Sequence, residues 1–298
     1  MKYWLIGGVA PLLWGTTYAV TQHWMSEMDP LWVAALRILI PGLLLMPILS
    51  IRTLRQGWKG MLILGGLNIG LFTTLLFQAI SRLPGGVAAT LVSTVPLQIL
   101  LFRWLMKQRP PVTQLMAAAG GTFGVGLLVW RAAEPLDSVG VVLALLAGSS
   151  MAIGMMLIPK LTSGVAPLQM AAGQLLFSGI ALTLLTALSG APVPEFDAAS
   201  MLAMGWISPI GMGVGYFCWF KALQHIPGDK LAFLGLVNPV IAVFCGLLLM
   251  AEQLAAVQIM GMVLVLGCVL LAQWKPRARL ENPGREHETG IEAANPLI

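Results

Sequence analysis

Charge is what this sequence lacks. Only 10% of its 298 residues are Asp, Glu, Lys or Arg, while 58% are hydrophobic; a soluble domain has about a quarter charged. So few charges cannot clothe a water-facing surface, which excludes an ordinary globular protein. Cysteine is scarce too. Cys218, Cys245 and Cys268 all fall inside apolar runs without metal-ligand spacing, so packing thiols are expected rather than a disulfide framework or a metal site. His23, His225 and His287 stand at helix ends or in the tail, and no apolar run carries Asp or Glu at its centre. With no nucleophile beside a base or metal, the chain is expected not to be an enzyme and to need no cofactor. The net charge of +5 and pI near 9.4 do not point to nucleic acid, because the basic residues lie between hydrophobic segments rather than in a patch with aromatics.

What is present is apolar length. Hydrophobic runs of spanning size cover 3–23, 31–50, 59–80, 85–105, 113–130, 139–159, 167–189, 200–222, 229–250 and 256–274, and the mean hydropathy is +0.86. The expected fold is therefore an all-α integral membrane protein of ten transmembrane helices, with the lipid bilayer as its principal partner. The start, MKYWLIGGVAPLLWGTTYAV, has no small-x-small cleavage site and reads as a retained first helix. Connections such as MDP before Leu31, LPGG at Leu83 to Gly86 and HIPGD at His225 to Asp229 are short turns. After Lys275 the chain turns polar and rich in Pro, Gly and Glu, so 277–298 is expected to be a disordered cytoplasmic tail.

Orientation follows from the basic residues. With the N-terminus inside, all 17 Lys and Arg are cytoplasmic except Arg82 and Arg131, outside, and Arg37, within a helix. That bias predicts both termini on the cytoplasmic side of a bacterial inner membrane.

The chain also repeats itself. Leu83-Pro84-Gly85 through Val95-Pro96 aligns without gaps on Ile226-Pro227-Gly228 through Asn238-Pro239, Pro30-Leu31 falls on Pro167-Leu168, and Gly42 on Gly179. Two five-helix repeats are expected, 1–132 and 133–276. Five is odd, so the second must enter the membrane from the opposite face, the inverted-repeat layout of many secondary transporters.

Polar and aromatic groups recur near mid-span. Trp14, Thr17 and Tyr18 share one face of the first helix, and Thr90, Thr94 and Gln98 form an every-fourth-residue stripe on the fourth. Asn68, Ser149, Ser150, Trp206, Tyr216 and Asn238 add to them. Each can simply bond between helices, for about 0.6 kcal/mol; their convergence from both halves points instead to a cavity for an amphipathic solute. Pro96 and Pro239 hold matching places in the two halves, and each removes a backbone donor and breaks its helix. Arg37 is the charge inside a span, expected to snorkel toward Glu27 or Asp29 as an outer structural or gating charge, with substrate contact as the alternative. A cavity thus free of fixed charge favours a neutral or zwitterionic solute. Small residues at Gly120 and Gly124 serve either packing within the bundle or a homodimer contact.

These residues resemble the EamA branch of the drug/metabolite transporter superfamily. The carriers of the likeness are LLWGTTYAV, DPLWVAALRIL with Arg37, LPGGVAATLVSTVPLQ, and PVIAVFCGLLLMAEQLAAVQIMGMVLVLGCVLL with Glu252. NIGLFTTLLFQAISRLPGGVAATL is similar to pigment or metabolite exporters of that family. The resemblance implies ten helices in two inverted repeats, alternating access, and efflux of amino acids, metabolites or drugs. Where the family often ends the fourth helix with Glu, this chain has Lys107-Gln108-Arg109, so of a symmetric acid pair only Glu252 remains as a gating or structural charge. A passive channel and a membrane protein with a structural or regulatory role are the alternatives to a carrier.

Overall fold

A computed structural model describes residues 1–109, 111–130, 136–162, 164–226, 231–251 and 254–273, which form helices and turns. The tail 277–298 lies outside the described residues. The chain opens with α1 (Lys2–Trp24) and α2 (Pro30–Leu45), the latter started by Asp29, whose carboxylate accepts from Leu31 N at 2.8 Å, and by a proline at its first position. α3 (Ile51–Gly65) and α4 (Phe72–Ile80) are one rod joined by a π-helical stretch, Gly66–Leu71. α5 (Gly85–Val92) and α6 (Val95–Leu105) are separated by a break at Ser93 and Thr94. Then come α7 (Val112–Trp130), α8 (Ser138–Leu161) and α9 (Pro167–Leu188). α10 (Ala198–Gly205) and α11 (Gly215–Leu223) flank a second π stretch, Trp206–Val214. A 3-10 turn, Ala232–Leu236, leads into α12 (Val237–Leu249), and α13 (Ala256–Gln273) completes the bundle.

Among the described residues, six rods are long and apolar enough to cross a bilayer: Pro30–Ile48, Ile51–Ile80, Gly85–Leu105, Ser138–Leu161, Pro167–Leu188 and Ala198–Leu223. Shorter apolar helices run over Val112–Leu127, Leu234–Leu249 and Ala256–Leu271. Large apolar side chains point outward around the bundle, among them Leu44, Phe123, Leu185, Phe217, Phe244 and Val263. Hydrocarbon is the medium that accepts such a surface; water is not. The molecule is an integral membrane protein.

The third rod is longer than its apolar run. Its first turns hold Arg52, Arg55, Gln56 and Lys59 on an exposed face while Thr53, Gly57 and Gly60 are buried, so hydropathy alone starts the helix at 59 whereas the chain starts it at Ile51. Amphipathic ends of this kind sit in the interface with their charges out.

Packing joins the two parts of the chain throughout. α2 crosses α9, α7 lies along α13, α1 packs on α11 and α12, and α8 packs on α4 and α6. At the first crossing a Cβ on Gly42 would stand 2.8 Å from Leu176 N, and one on Gly179 would stand 2.6 Å from Leu39 Cα. The residue three before each glycine's counterpart thus meets the other glycine, backbone against backbone. The glycines at 120 and 124 are used inside the bundle, against Cys268 and against Val265 with the Gly261 carbonyl.

At one end of the bundle Arg82 Nη1 pairs with Asp137 Oδ2 at 3.0 Å, tying the α4–α5 turn to the start of α8. The Asp137 carboxyl is held below the usual carboxylate range by that hydrogen bond from Arg82, and further by the Val139 and Gly140 amides it caps.

Candidate functional site

The side chains expected in one cavity form two groups, the first around α1, α2 and the second π stretch. A π-helical turn bonds i to i+5 and leaves its ladder strained and partly open, so side chains from neighbouring helices reach its carbonyls. Trp14 Nε1 donates to Gly211 O at 3.0 Å, and its ring meets Tyr216 and Trp219 at centroid distances of 5.6 and 5.7 Å. Gly215 leaves the room for that indole, since a Cβ there would fall 3.0 Å from Nε1.

Arg37 does not snorkel. It is 4% exposed, with Nε donating to Ile207 O at 3.4 Å and Nη2 to Thr17 Oγ1 at 3.3 Å, and the guanidinium stands 5.2 Å from the centroid of the Phe77 ring. Asp29 is occupied as the α2 cap, Glu27 is exposed, and among the described residues no carboxylate reaches Arg37. The phenols of the buried Tyr18 and of Tyr216 lie within electrostatic reach of the charge. Ser208 Oγ donates to the carbonyls of Leu36 and Arg37, both at 3.2 Å, which fastens α2 to the π stretch. The premise of an interior without fixed charge therefore fails. Its length let Arg37 be read as reaching the surface, but its carbonyl and hydroxyl partners hold it inward.

Above this group lies a cavity of about 250 Å³. Its walls are Thr21, Gln22 and Met25 at the end of α1, Val33 of α2, Phe77 and Ile80 of α4, and Met250. Thr21 and Val33 stand one helical turn beyond Thr17 and Arg37, so the cavity is the next storey of the same stack. Gln22 Nε2 donates to the carbonyls of Ile80 at 3.0 Å and Leu83 at 2.8 Å, while Gln22 Oε1 and Thr21 Oγ1 are buried without a hydrogen-bond partner. Thr21, Gln22 and Phe77 were not among the sequence candidates. The spacing of Trp14, Thr17, Tyr18 and Thr21, at i, i+3, i+4 and i+7, carried the signal for Thr21.

The second group sits where α6 meets α8. Gln98 Nε2 donates to Thr94 Oγ1 at 2.9 Å and to Leu145 O at 3.3 Å, and Ser149 Oγ donates to Gln98 Oε1 at 2.7 Å. Gly148 admits the carboxamide, which a Cβ would approach to 2.7 Å. Thr94, Gln98 and Ser149 head an otherwise apolar cleft of about 480 Å³ bounded by Leu97, Leu101, Trp104, Leu115 and Val125. Tyr18 packs with Leu91, Ala144 and Ala147 in the core cluster that joins the two groups.

The other candidates are scattered. Asn68, in the first π stretch, lays its carboxamide on Gly154 with Oδ1 unpartnered, and the neighbouring Leu67 carbonyl accepts from Ser150 Oγ at 2.7 Å. Asn238 brings its carbonyl oxygen against α1, where a Cβ on Gly15 would come within 2.7 Å. Trp206 is 39% exposed, its indole N–H donating to Thr16 Oγ1 at 2.9 Å, so it lies on the wall and not in the buried group. Pro96 stands in the first turn of α6, after the break, and Pro239 is buried in the first turn of α12, after the 3-10 turn. Glu252 lies outside the described residues. Among the described residues no three of His, Cys, Asp and Glu gather to hold a metal ion.

Lipid-facing rods, broken helices whose open carbonyls meet polar side chains, and solute-sized cavities define a polytopic membrane protein of the transport class. The sequence model of the EamA-like transporter family matches it twice, over residues 2–130 and 138–273. Protein PecM of Dickeya dadantii (strain 3937) is 34% identical over 269 residues, 89% of this chain and 90% of that one. The uncharacterized inner membrane transporter YedA of Escherichia coli (strain K12) is 26% identical, and the uncharacterized transporter YvbV of Bacillus subtilis (strain 168) is 25% identical, with 87% and 90% of this chain covered and the same shares of those chains. A crystal structure at 20% identity superposes with a TM-score of 0.65 over 91% of this chain and 96% of the other, a likeness of fold. The chain belongs to the EamA-like transporter family, within the drug/metabolite transporter superfamily, and membrane transport is the activity its relatives support.

Proposed function

We propose that the chain is a secondary carrier that exports a small organic metabolite, amino acid or drug across a bacterial inner membrane by alternating access. The observation that carries this reading is the α2–α9 crossing, in which Gly42 meets Leu176 and Gly179 meets Leu39. A contact made twice with partners exchanged is the mark of a two-fold axis, and a two-fold within one chain is what two inverted repeats produce. The π stretches support the same relation, because each offers a carbonyl to the first span of the other half: Leu67 to Ser150, and Gly211 to Trp14.

On this reading ten spans divide into repeats 1–132 and 133–276, with both termini in the cytoplasm. Trp14, Thr17, Tyr18, Tyr216 and Arg37 on one side, and Thr94, Gln98 and Ser149 on the other, are the solute-contacting groups, with Asn68, Asn238 and Trp206 at the margin. Pro96 and Pro239 are the helix breaks about which the halves rearrange. Of the neutral and zwitterionic solutes that the sequence favours, the inward Arg37 favours those with a negative group.

The test is comparison of extracellular metabolites between overexpressing and deletion strains, followed by counterflow of the enriched compound in proteoliposomes. Saturable flux stimulated by solute on the far side is expected. Unsaturable flux would mean a channel, and normal membrane levels with no metabolite change would mean a structural or regulatory role.

A further inference from the structure

Arg37 has five N–H donors and uses two of them, at 3.3 and 3.4 Å, both long for hydrogen bonds of a charged group. It is buried, and no carboxylate among the described residues answers it. The guanidinium carbon stands 5.2 Å from the centroid of the Phe77 ring, over its face, and the same Phe77 lines the cavity one turn above. Two residues that line that cavity, Thr21 and Gln22, each carry a buried oxygen without a partner, Oγ1 and Oε1, beside Met25, Val33, Ile80 and Met250. A planar donor fork below, hydrogen-bond acceptors above and apolar walls between are the complement of a small solute with a carboxylate at one end and a donor beside it.

We propose that Arg37 and the cavity above Phe77 form one binding site for a small organic acid of amino-acid size, with Phe77 as the gate between vestibule and anchor. The guanidinium takes the carboxylate through both oxygens once the ring swings aside. Gln22 and Thr21 accept from an ammonium or amide N–H of the same solute. The cavity of about 250 Å³ limits the solute to roughly the bulk of an aromatic amino acid. This inference rests on the carrier reading for its biological setting but not for its test, which is equilibrium binding.

Full-length protein in lipid nanodiscs is titrated calorimetrically with two pairs of probes, 3-phenylpropionate against 3-phenylpropanamide and L-phenylalanine against L-phenylalaninamide. Each acid is expected to bind at least tenfold more tightly than its amide. Arg37→Gln removes that preference, leaving each acid and its amide within twofold of one another, and Arg37→Lys, which keeps the charge without the fork, reduces the preference at least threefold. Phe77→Ala keeps the preference and speeds association in stopped-flow Trp fluorescence. Acids that fail to bind, acids and amides that bind alike, or either Arg37 variant retaining the full preference overturns the proposal; an unchanged association rate in Phe77→Ala overturns the gate. Should Arg37→Gln not fold, Arg37→Lys decides alone. A protein that binds the acids yet moves no solute fails only as a carrier, and one that carries other solutes while ignoring the acids fails only here.

Discussion

Single glycines set the closest approaches in this bundle, and their surroundings rank what a methyl group does at each. A Cβ on Gly42 or Gly179 meets backbone atoms at 2.8 and 2.6 Å, and backbone cannot step aside as a side chain can. Gly42→Ala and Gly179→Ala are each expected to cost about 1–3 kcal/mol by overpacking, seen as a lower midpoint when the purified protein is heated before size-exclusion chromatography. Gly8 and Gly126 have nothing within 4 Å of such a Cβ. Alanine there is expected to leave that midpoint unchanged or raise it, because a helical glycine gives up about 0.5–1 kcal/mol relative to alanine. Sequence reading singled out Gly42 and Gly179 only as repeat markers, since spacing cannot say which face of a helix another backbone approaches. It found Arg37 as the buried charge yet misjudged its direction, because the partners that hold it are the Ile207 carbonyl and the Thr17 hydroxyl, groups that hydropathy does not weigh.

Among the elements, the interrupted rods carry the functional signal. Thr90, Ser93 and Thr94 each return a hydroxyl to a carbonyl one turn back, at 2.8, 2.7 and 2.7 Å, so the break before Pro96 is stabilised from its N-terminal side. Pro96→Ala restores a donor and removes the ring, so it is expected to raise thermal stability while lowering proteoliposome flux, opposite signs that a plain packing role would not produce. The matched prolines, Pro96 and Pro239, were plain in the sequence. The π stretches were not, because their cause is tertiary: Trp14, Arg37 and Ser150 each arrive from another helix to take a carbonyl there. The clip between Arg82 and Asp137 has its own signature. A carboxyl whose folded pKa lies below its unfolded value of 3.8 adds stability above that value and loses it as pH falls through the folded one. Acidification from about pH 5 to about pH 3 is therefore expected to destabilise the wild type more than Asp137→Asn, which has no such proton to gain.

For the molecule as a whole, hydropathy marked out the six apolar membrane-length rods among the described residues, while the cavities escaped it because they arise where several rods end together. The proposed inverted arrangement fixes which turns share a side of the membrane. In a background with Cys218, Cys245 and Cys268 replaced by alanine, cysteines at Ser26 and Gly190 are expected to react with an impermeant maleimide on intact cells, and one at Gln108 only after permeabilisation. Labelling of Ser26 and Gln108 positions from the same side would falsify the layout.

The glycine crossing of α2 and α9 has a mechanical consequence. In the proposed carrier, a fulcrum of two glycine contacts that grip both arms alike rocks without preference, so those contacts do not decide which mouth stands open at rest. The bias has to come from what the duplication failed to copy. One such difference lies on the fulcrum itself: the register that pairs Gly42 with Gly179 pairs Arg37 with Gln174, a cation with a neutral amide. One half of the balance carries a weight that the other does not, and an anion seated on it would shift the tilt.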